Sequence, residues 1–157
     1  MLTNWSLNTL WEESFGYSRA VQIGNSIEVS ATSASEDDKV IGVGDLTLQT
    51  EFIIKKIEHT LVEAGFSLKD VVRTRIFMTD ISLWEEVAKV HSYLFEDVMP
   101  ASTLVEVSKL IHPDLLLEIP YYPSVWPFKD GLPIDILNKK QPVFLSPSNI
   151  SLNIINI

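Results

Sequence analysis

Two short stretches concentrate the groups able to do chemistry. Met99-Pro100-Ala101-Ser102-Thr103-Leu104-Val105-Glu106-Val107 places two hydroxyls directly after a Pro-Ala pair. Leu115-Leu116-Leu117-Glu118-Ile119 places a carboxylate after three leucines. A hydroxyl both donates and accepts, whereas an ionised carboxylate only accepts, so Glu118 is the group suited to holding a water. Tyr17 and Ser30 add a phenol and a third hydroxyl. Each of these residues also has an ordinary role open to it. Glu118 fits the outward member of an alternating strand, Tyr17 a lid on the core, and Ser102 and Thr103 plain strand positions.

Other chemistries lack their residues. The chain of 157 residues has no cysteine, which removes disulfides, thiolate nucleophiles and cysteine-held metals. His59, His91 and His112 have no metal-ligand spacing, so no metal site is expected. There is no Gly-rich phosphate loop, GxSxG elbow or Ser/His/Asp arrangement, and no cofactor is expected. A net charge of −9 counts against nucleic acid, whose binders carry a basic footprint. Met1 to Trp5 has neither the basic nor the apolar region of a signal peptide, and no apolar run is long enough to span a membrane. The expectation is a cytoplasmic protein with no membrane or nucleic-acid partner.

The groups need elements to position them. Residues 19–31 read as a β-hairpin: Val21 and Ile23 alternate with polar residues, Gly24-Asn25 turns the chain, and Ile27 and Val29 alternate again. Thr32 to Lys39 is Ser- and Asp-rich and is expected to be a solvated loop. Asp45 opens a helix over 46–64, with Leu46, Ile53, Ile57 and Leu61 on one face and Gly65 as its stop. Val71 to Met78 is a strand with Arg73 and Arg75 on one face. Ser82 and Glu85 have capping-box spacing, opening a helix to about Glu96 with Val87, Val90 and Leu94 inward. Strands follow at 102–109 and 115–119, joined by a His112-Pro113-Asp114 turn. Glu12-Glu13 and Glu36-Asp37-Asp38 read as solvated acidic runs.

The order β-β-α-β-α-β-β predicts an α+β fold, one sheet with two helices on one face. The other face would be a large apolar patch unless covered, and self-association covers it. After Glu118 the texture changes. Six of the eight prolines lie beyond it, and helical periodicity stops. Residues 1–119 are therefore one domain, and 120–157 a Pro-rich C-terminal extension. Pro120 cannot donate to a ladder and is expected to cut the last strand short.

Several local patterns, in this order, resemble the RidA (YjgF-type) family. They are Gly16-Tyr17-Ser18-Arg19-Ala20-Val21 with Gly24-Asn25, Gln49-Thr50 with Ile57-Glu58 and Glu63-Ala64-Gly65, Asp70 to Asp80, and Pro100-Ala101 with Val105-Glu106-Val107. The resemblance covers residues 16–119. It implies a chorismate-mutase-like, ferredoxin-related sheet, a homotrimer around a central barrel, and a site in the cleft between subunits. Its deaminases hydrolyse the enamines and imines that pyridoxal enzymes release: water attacks the imine carbon and ammonia leaves. Carried over by position, Tyr17, Ser30 and Glu118 match pocket residues, with Glu118 as the catalytic, water-orienting carboxylate. Ser102 replaces the arginine that holds the substrate carboxylate, and Ala88 stands where many deaminases have asparagine.

A serine has one donor, no charge and a short reach. Loss of a buried, charge-assisted bidentate contact costs about 2–5 kcal/mol, which is roughly 30- to several-thousand-fold in affinity for a carboxylate. The resemblance therefore implies a homotrimer whose inter-subunit pocket, lined by Tyr17, Ser30, Ser102, Thr103 and Glu118, takes a small metabolite. It would hydrolyse imines without being an efficient 2-iminoacid deaminase. The alternative is a non-catalytic trimeric ligand-binding or protein-interaction module. A ribonuclease role, attached to the family by name, is disfavoured by the acidic charge and the absence of a histidine pair.

Overall fold

The computed structural model describes residues 2–37 and 39–123. Asp38 and residues 124–157, most of the expected extension, lie outside the described residues. Eight strands and three α-helices follow in the order β1 (Leu2–Trp5), α1 (Leu10–Phe15), β2 (Ala20–Ile23), β3 (Ser26–Ser33), β4 (Ser35–Glu36), β5 (Lys39–Val40), α2 (Leu46–Glu63), β6 (Val71–Met78), α3 (Trp84–Phe95), β7 (Ala101–Glu106) and β8 (Leu117–Pro123). Six strands form one sheet in the order β1-β2-β3-β8-β6-β7. Only the β6–β7 pair in it is parallel, with α3 as its crossover. The expected α+β architecture is present.

The sheet is two-faced because strand side chains alternate. Ile27 and Val29 of β3, Ile76 and Met78 of β6, and Leu117, Ile119 and Tyr121 of β8 are all buried. They pack with Ile53, Ile54, Ile57 and Leu61 of α2 and Val87, Val90 and Phe95 of α3. The opposite parity of the same strands puts Val21, Glu28, Phe77, Glu118 and Tyr122 on the face without helices. The Tyr121 hydroxyl is fully buried without a hydrogen-bond partner, and burial pushes its ionisation far above the usual phenol range.

Local chemistry sets the boundaries. Asp45 caps α2 by accepting from Leu48 N at 2.8 Å. Gly65 follows the helix at φ +81°, a left-handed backbone that glycine adopts without a Cβ penalty. Gly24 does the same in the β2–β3 turn at φ +59°.

Four local expectations need correction. The stretch after Thr32 is not a plain loop: β3 runs to Ser33, and β4 and β5 pair through Ser35–Val40 and Glu36–Lys39, with Ala34 fully buried beneath. Ser82 does not cap α3. Ile81–Leu83 is a 3₁₀ turn capped by Asp80, whose carboxylate accepts from Ser82 N at 2.9 Å. Glu12 is not solvated but buried at 6% exposure, in a turn capped by Thr9. Finally, Pro120 does not end the last strand, which continues to Pro123 in the middle of the sheet. The reason lies in β3. Val29 faces Tyr121 and Thr32 faces Ile119, so Ser30 and Ala31 bulge opposite Pro120. The missing N–H falls where the ladder is already interrupted.

Candidate functional site

Glu118 is the second residue of β8 and lies two residues before Pro120, where β3 bulges. It pairs with Ser33 of β3 and with Phe77 of β6 on the helix-free face. It is half-buried. Burial pushes its carboxyl above the ordinary glutamate range, and the positive charge of Arg19 partly opposes that rise. A carboxylate in such surroundings is a better proton acceptor than a solvated one.

Tyr17 and Ser30 come together around Arg19. The Arg19 Nη2 donates to the Tyr17 hydroxyl at 3.3 Å, and the guanidinium carbon lies 5.8 Å from the centre of the Tyr17 ring. Tyr17 is half-buried, edge-on to Phe15, and stands outside the hydrophobic core. The Ser30 hydroxyl donates to Ser18 O at 2.8 Å, and Ser30 N donates to Arg19 O at 2.9 Å. Ser30 also lines a groove of about 480 Å³ with Val21, Ile23, Glu28, Pro120 and Tyr122.

Arg19 is the residue that the sequence reading missed as a site member. It is only 8% exposed. Its Nη1 donates to Thr32 Oγ1 at 3.3 Å and to Ala31 O at 3.5 Å, the carbonyl freed by the β3 bulge. Its Nε lies 3.9 Å from Glu12 Oε1 and makes no hydrogen bond. Burial pushes the Glu12 carboxyl up. Hydrogen bonds from Ser6, Leu7 N and Thr9 N, with the charge of Arg19, outweigh that and hold it below the usual range. The sequence carried one faint signal, an arginine directly before an apolar alternating strand.

Ser102 and Thr103 lie elsewhere. Both are exposed on the edge strand β7. Ser102 pairs with Thr74 and Thr103 with Arg75, so Ser102 shares the helix-side face with Thr74 and Thr103 the other. Thr74 Oγ1 donates to Ser102 Oγ at 2.9 Å and also meets His91 Nε2 at 3.1 Å. With its single proton spent on Ser102, Thr74 accepts from the His91 ring. Burial pushes the His91 pKa down, favouring the neutral ring that this bond uses. Ser102 is then left with its own proton to donate outward.

Within one chain, Tyr17 meets the Arg19 side chain and Ser30 its backbone, the charge of Arg19 acts on Glu118, and Ser102 does not join them. Strand β7 is two strand spacings from β8, about 10 Å, and Ser102 has the opposite facing to Glu118. Arg73 and Arg75 are exposed, and the Arg75 guanidinium lies over the Tyr122 ring at 5.2 Å. Among the described residues no cluster of His, Asp and Glu could hold a metal ion, and no helix is long and apolar enough to cross a membrane.

Residues 11–124 match the family model described as endoribonuclease L-PSP. An uncharacterized protein of Streptomyces coelicolor is 33% identical over 109 residues, which are 69% of this chain and 81% of that protein. The 3-aminoacrylate deaminase RutC of Acinetobacter baylyi is 36% identical over 104 residues, 66% of this chain and 82% of that protein. The crystal structure of a YjgF-family protein from Mycobacterium tuberculosis superposes with a TM-score of 0.72 at 42% identity, covering 80% of this chain and all of that one.

Proposed function

The chain belongs to the endoribonuclease L-PSP family, the YjgF/RidA/RutC group, and from that premise we propose that it binds a small metabolite in a pocket shared between subunits of a homotrimer. Glu118 holds the water in that pocket, Tyr17 and Ser30 border it, and Ser102 and Thr103 of β7 come from the neighbouring subunit. Such an assembly would bring together groups that lie on different strands of one chain, and it would cover the helix-free sheet face. The chemistry we assign is addition of water to an imine carbon with loss of ammonia. The relative RutC is named for a deamination of this type.

One observation carries the substrate preference. The residue after Pro100-Ala101 is Ser102, an exposed hydroxyl already accepting from Thr74, and β7, Ala-Ser-Thr-Leu-Val-Glu, contains no cation. Without a cation beside it, a substrate carboxylate entering this site would lose its water with no opposite charge to compensate, whereas an uncharged group would not incur that cost. The preferred substrate is thus an imine without a carboxylate next to the reacting carbon.

The experiment is hydrolysis of 2-aminoacrylate, generated by a serine dehydratase and read as keto acid formation. Wild type should accelerate it little, and Ser102→Arg should raise the rate at least about 30-fold, the low end of the cost of the missing contact. A wild-type rate already high and unmoved by Ser102→Arg would overturn the reading. A clean monomer by light scattering would remove the shared pocket.

A further inference from the structure

We propose that His91, Thr74 and Ser102 form a proton relay that carries one proton from solvent to the nitrogen of the bound imine. Ser102 meets the substrate, and His91 and Thr74 are positioning residues that act through it. The inference rests on the proposed pocket, because it needs the imine to reach Ser102.

Two hydrogen bonds join the three groups. Thr74 Oγ1 donates to Ser102 Oγ at 2.9 Å and meets His91 Nε2 at 3.1 Å. The sheet builds this row, since Ser102 of β7 and Tyr121 of β8 are the register partners of Thr74 on its two sides. Thr74 is fully buried, so water cannot stand in for either partner. The Tyr121 hydroxyl has no hydrogen-bond partner and takes no part. The His91 ring lies against Phe95, with centroids 4.7 Å apart.

Both ends of the chain are open. Ser102 is exposed. His91 is only half-buried, and its Nδ1, unlike the Tyr121 hydroxyl, is not a sealed atom without a partner. A buried hydroxyl thus connects a solvent-reached imidazole to an exposed serine.

With Thr74 donating to Ser102, every proton in the chain points from His91 towards Ser102. A proton from solvent binds Nδ1 and makes the ring an imidazolium. The Nε2–H bond then breaks and its proton passes to Thr74 Oγ1. The Thr74 proton passes to Ser102, and the Ser102 proton forms an N–H bond on the imine nitrogen. The ring is left neutral as the Nδ1–H tautomer, and each hydroxyl has regained a proton. The product is an iminium, a better electrophile for the water held at Glu118. The chain now points the other way, with Ser102 accepting from the substrate N–H. When ammonium forms, the reverse path takes its extra proton back, Nδ1 returns one to solvent, and ammonia leaves. Burial disfavours the charged ring, so the imidazolium gives up its proton readily.

The test has two parts, both on the full chain. The first is 15N NMR of the His91 ring at pH 8, with ammonium chloride as a probe that can only donate. The free protein should show Nε2–H, and ammonium should convert it to Nδ1–H. In Thr74→Val ammonium should leave the ring unchanged. An Nδ1–H ring in the free protein, a wild-type ring unmoved by ammonium, or an equal response in Thr74→Val would overturn the relay. The second is hydrolysis of benzaldimine, released from benzylamine by a flavin amine oxidase and read as benzaldehyde. His91→Phe and Thr74→Val should each lower kcat about 100-fold with KM little changed. The double variant should be no slower than either, because the groups act in series. An unchanged kcat in both would overturn the relay. Failure of the pocket reading looks different. The ring would answer ammonium as stated, yet wild type would not accelerate benzaldimine hydrolysis, nor Ser102→Arg that of 2-aminoacrylate.

Discussion

Thr74 Oγ1 donates to Ser102 Oγ at 2.9 Å across the only parallel strand pair of the main sheet. Thr74 is fully buried, and its lone pair takes the His91 contact at 3.1 Å. One hydroxyl therefore ties the edge strand to the helix behind it. Replacing it with the isosteric Thr74→Val would leave a half-buried imidazole N–H and the Ser102 oxygen without this partner. An unsatisfied polar group costs about 1–3 kcal/mol. Urea denaturation of Thr74→Val should show a loss of about that size, with an unchanged m-value. Full stability would mean that the contact is not made in solution.

Gln49 performs a larger version of the same service for Glu118. It is fully buried in α2, and its amide donates to Gly42 O at 3.0 Å and Asp114 O at 2.8 Å. Its carbonyl accepts from Leu116 N at 2.9 Å. Leu116 directly precedes the strand that carries Glu118, so this side chain sets where that strand begins. Gln49→Leu keeps the volume and abandons three backbone groups. Several unsatisfied groups together put the expected loss at about 3 kcal/mol or more, read as a drop in denaturation midpoint. Backbone amide shifts should move at Leu116 and Leu117 and stay put on β2. A variant within about 1 kcal/mol of wild type would contradict this account.

Much of the fold was legible because its periodic segments are long. Leu46, Ile53, Ile57 and Leu61 repeat at helical spacing and are all buried, and Val71 to Met78 alternates as a strand should. Two of the misreadings share a cause, because Pro120 and Arg19 each break a local rule that a distant partner repairs. Glu12 differs: Ser6, Leu7 N and Thr9 N, all within six residues, satisfy it. A bulge on another strand accommodates Pro120. Glu12 and that same bulge hold Arg19. Local patterning contains neither the Pro120 nor the Arg19 pairing, whereas Thr9 and Glu12 have the capping-box spacing that local sequence does offer. The candidate site was half legible for the same reason, since Tyr17, Ser30 and Glu118 are visible as residue types but the buried arginine that bonds Tyr17 is not.

Glu118 should make the protein less stable at neutral pH than its amide would. Burial raises its folded-state pKa above 4.5, the ordinary value. Between those two values the folded state binds more protons than the unfolded one, so stability falls as pH rises through that window. At lower pH the carboxyl is protonated in both states and its charge costs nothing. Thermal melts should therefore show Glu118→Gln above wild type at pH 7. The gap should close by about pH 4, below the unfolded value. A gap independent of pH, or of opposite sign, would show that the carboxylate is not desolvated. The sign also fits a residue kept for function, since a carboxylate selected for stability would gain from ionising.

The start of α3 separates the capping spacing of Ser82 and Glu85 from the cap observed. The Asp80 carboxylate accepts from both the backbone N and the hydroxyl of Ser82, whereas Leu83 at the α-helical N-cap makes no side-chain bond. Glu106 reinforces the turn by accepting from Ile81 N at 2.9 Å. The bond to the Ser82 hydroxyl, then that to its backbone, lowers the Asp80 pKa below 3.8. Such a group stabilises the fold above its unfolded pKa, and that contribution is lost as pH falls through the lowered folded value. Asp80→Ala should thus lower the melting temperature at pH 7 more than Ser82→Ala does, because Ser82→Ala keeps the backbone bond. Near pH 2 the Asp80→Ala deficit should shrink markedly. If Ser82→Ala proved the more damaging at pH 7, the capping box spanning Ser82 and Glu85 would be restored as the helix start.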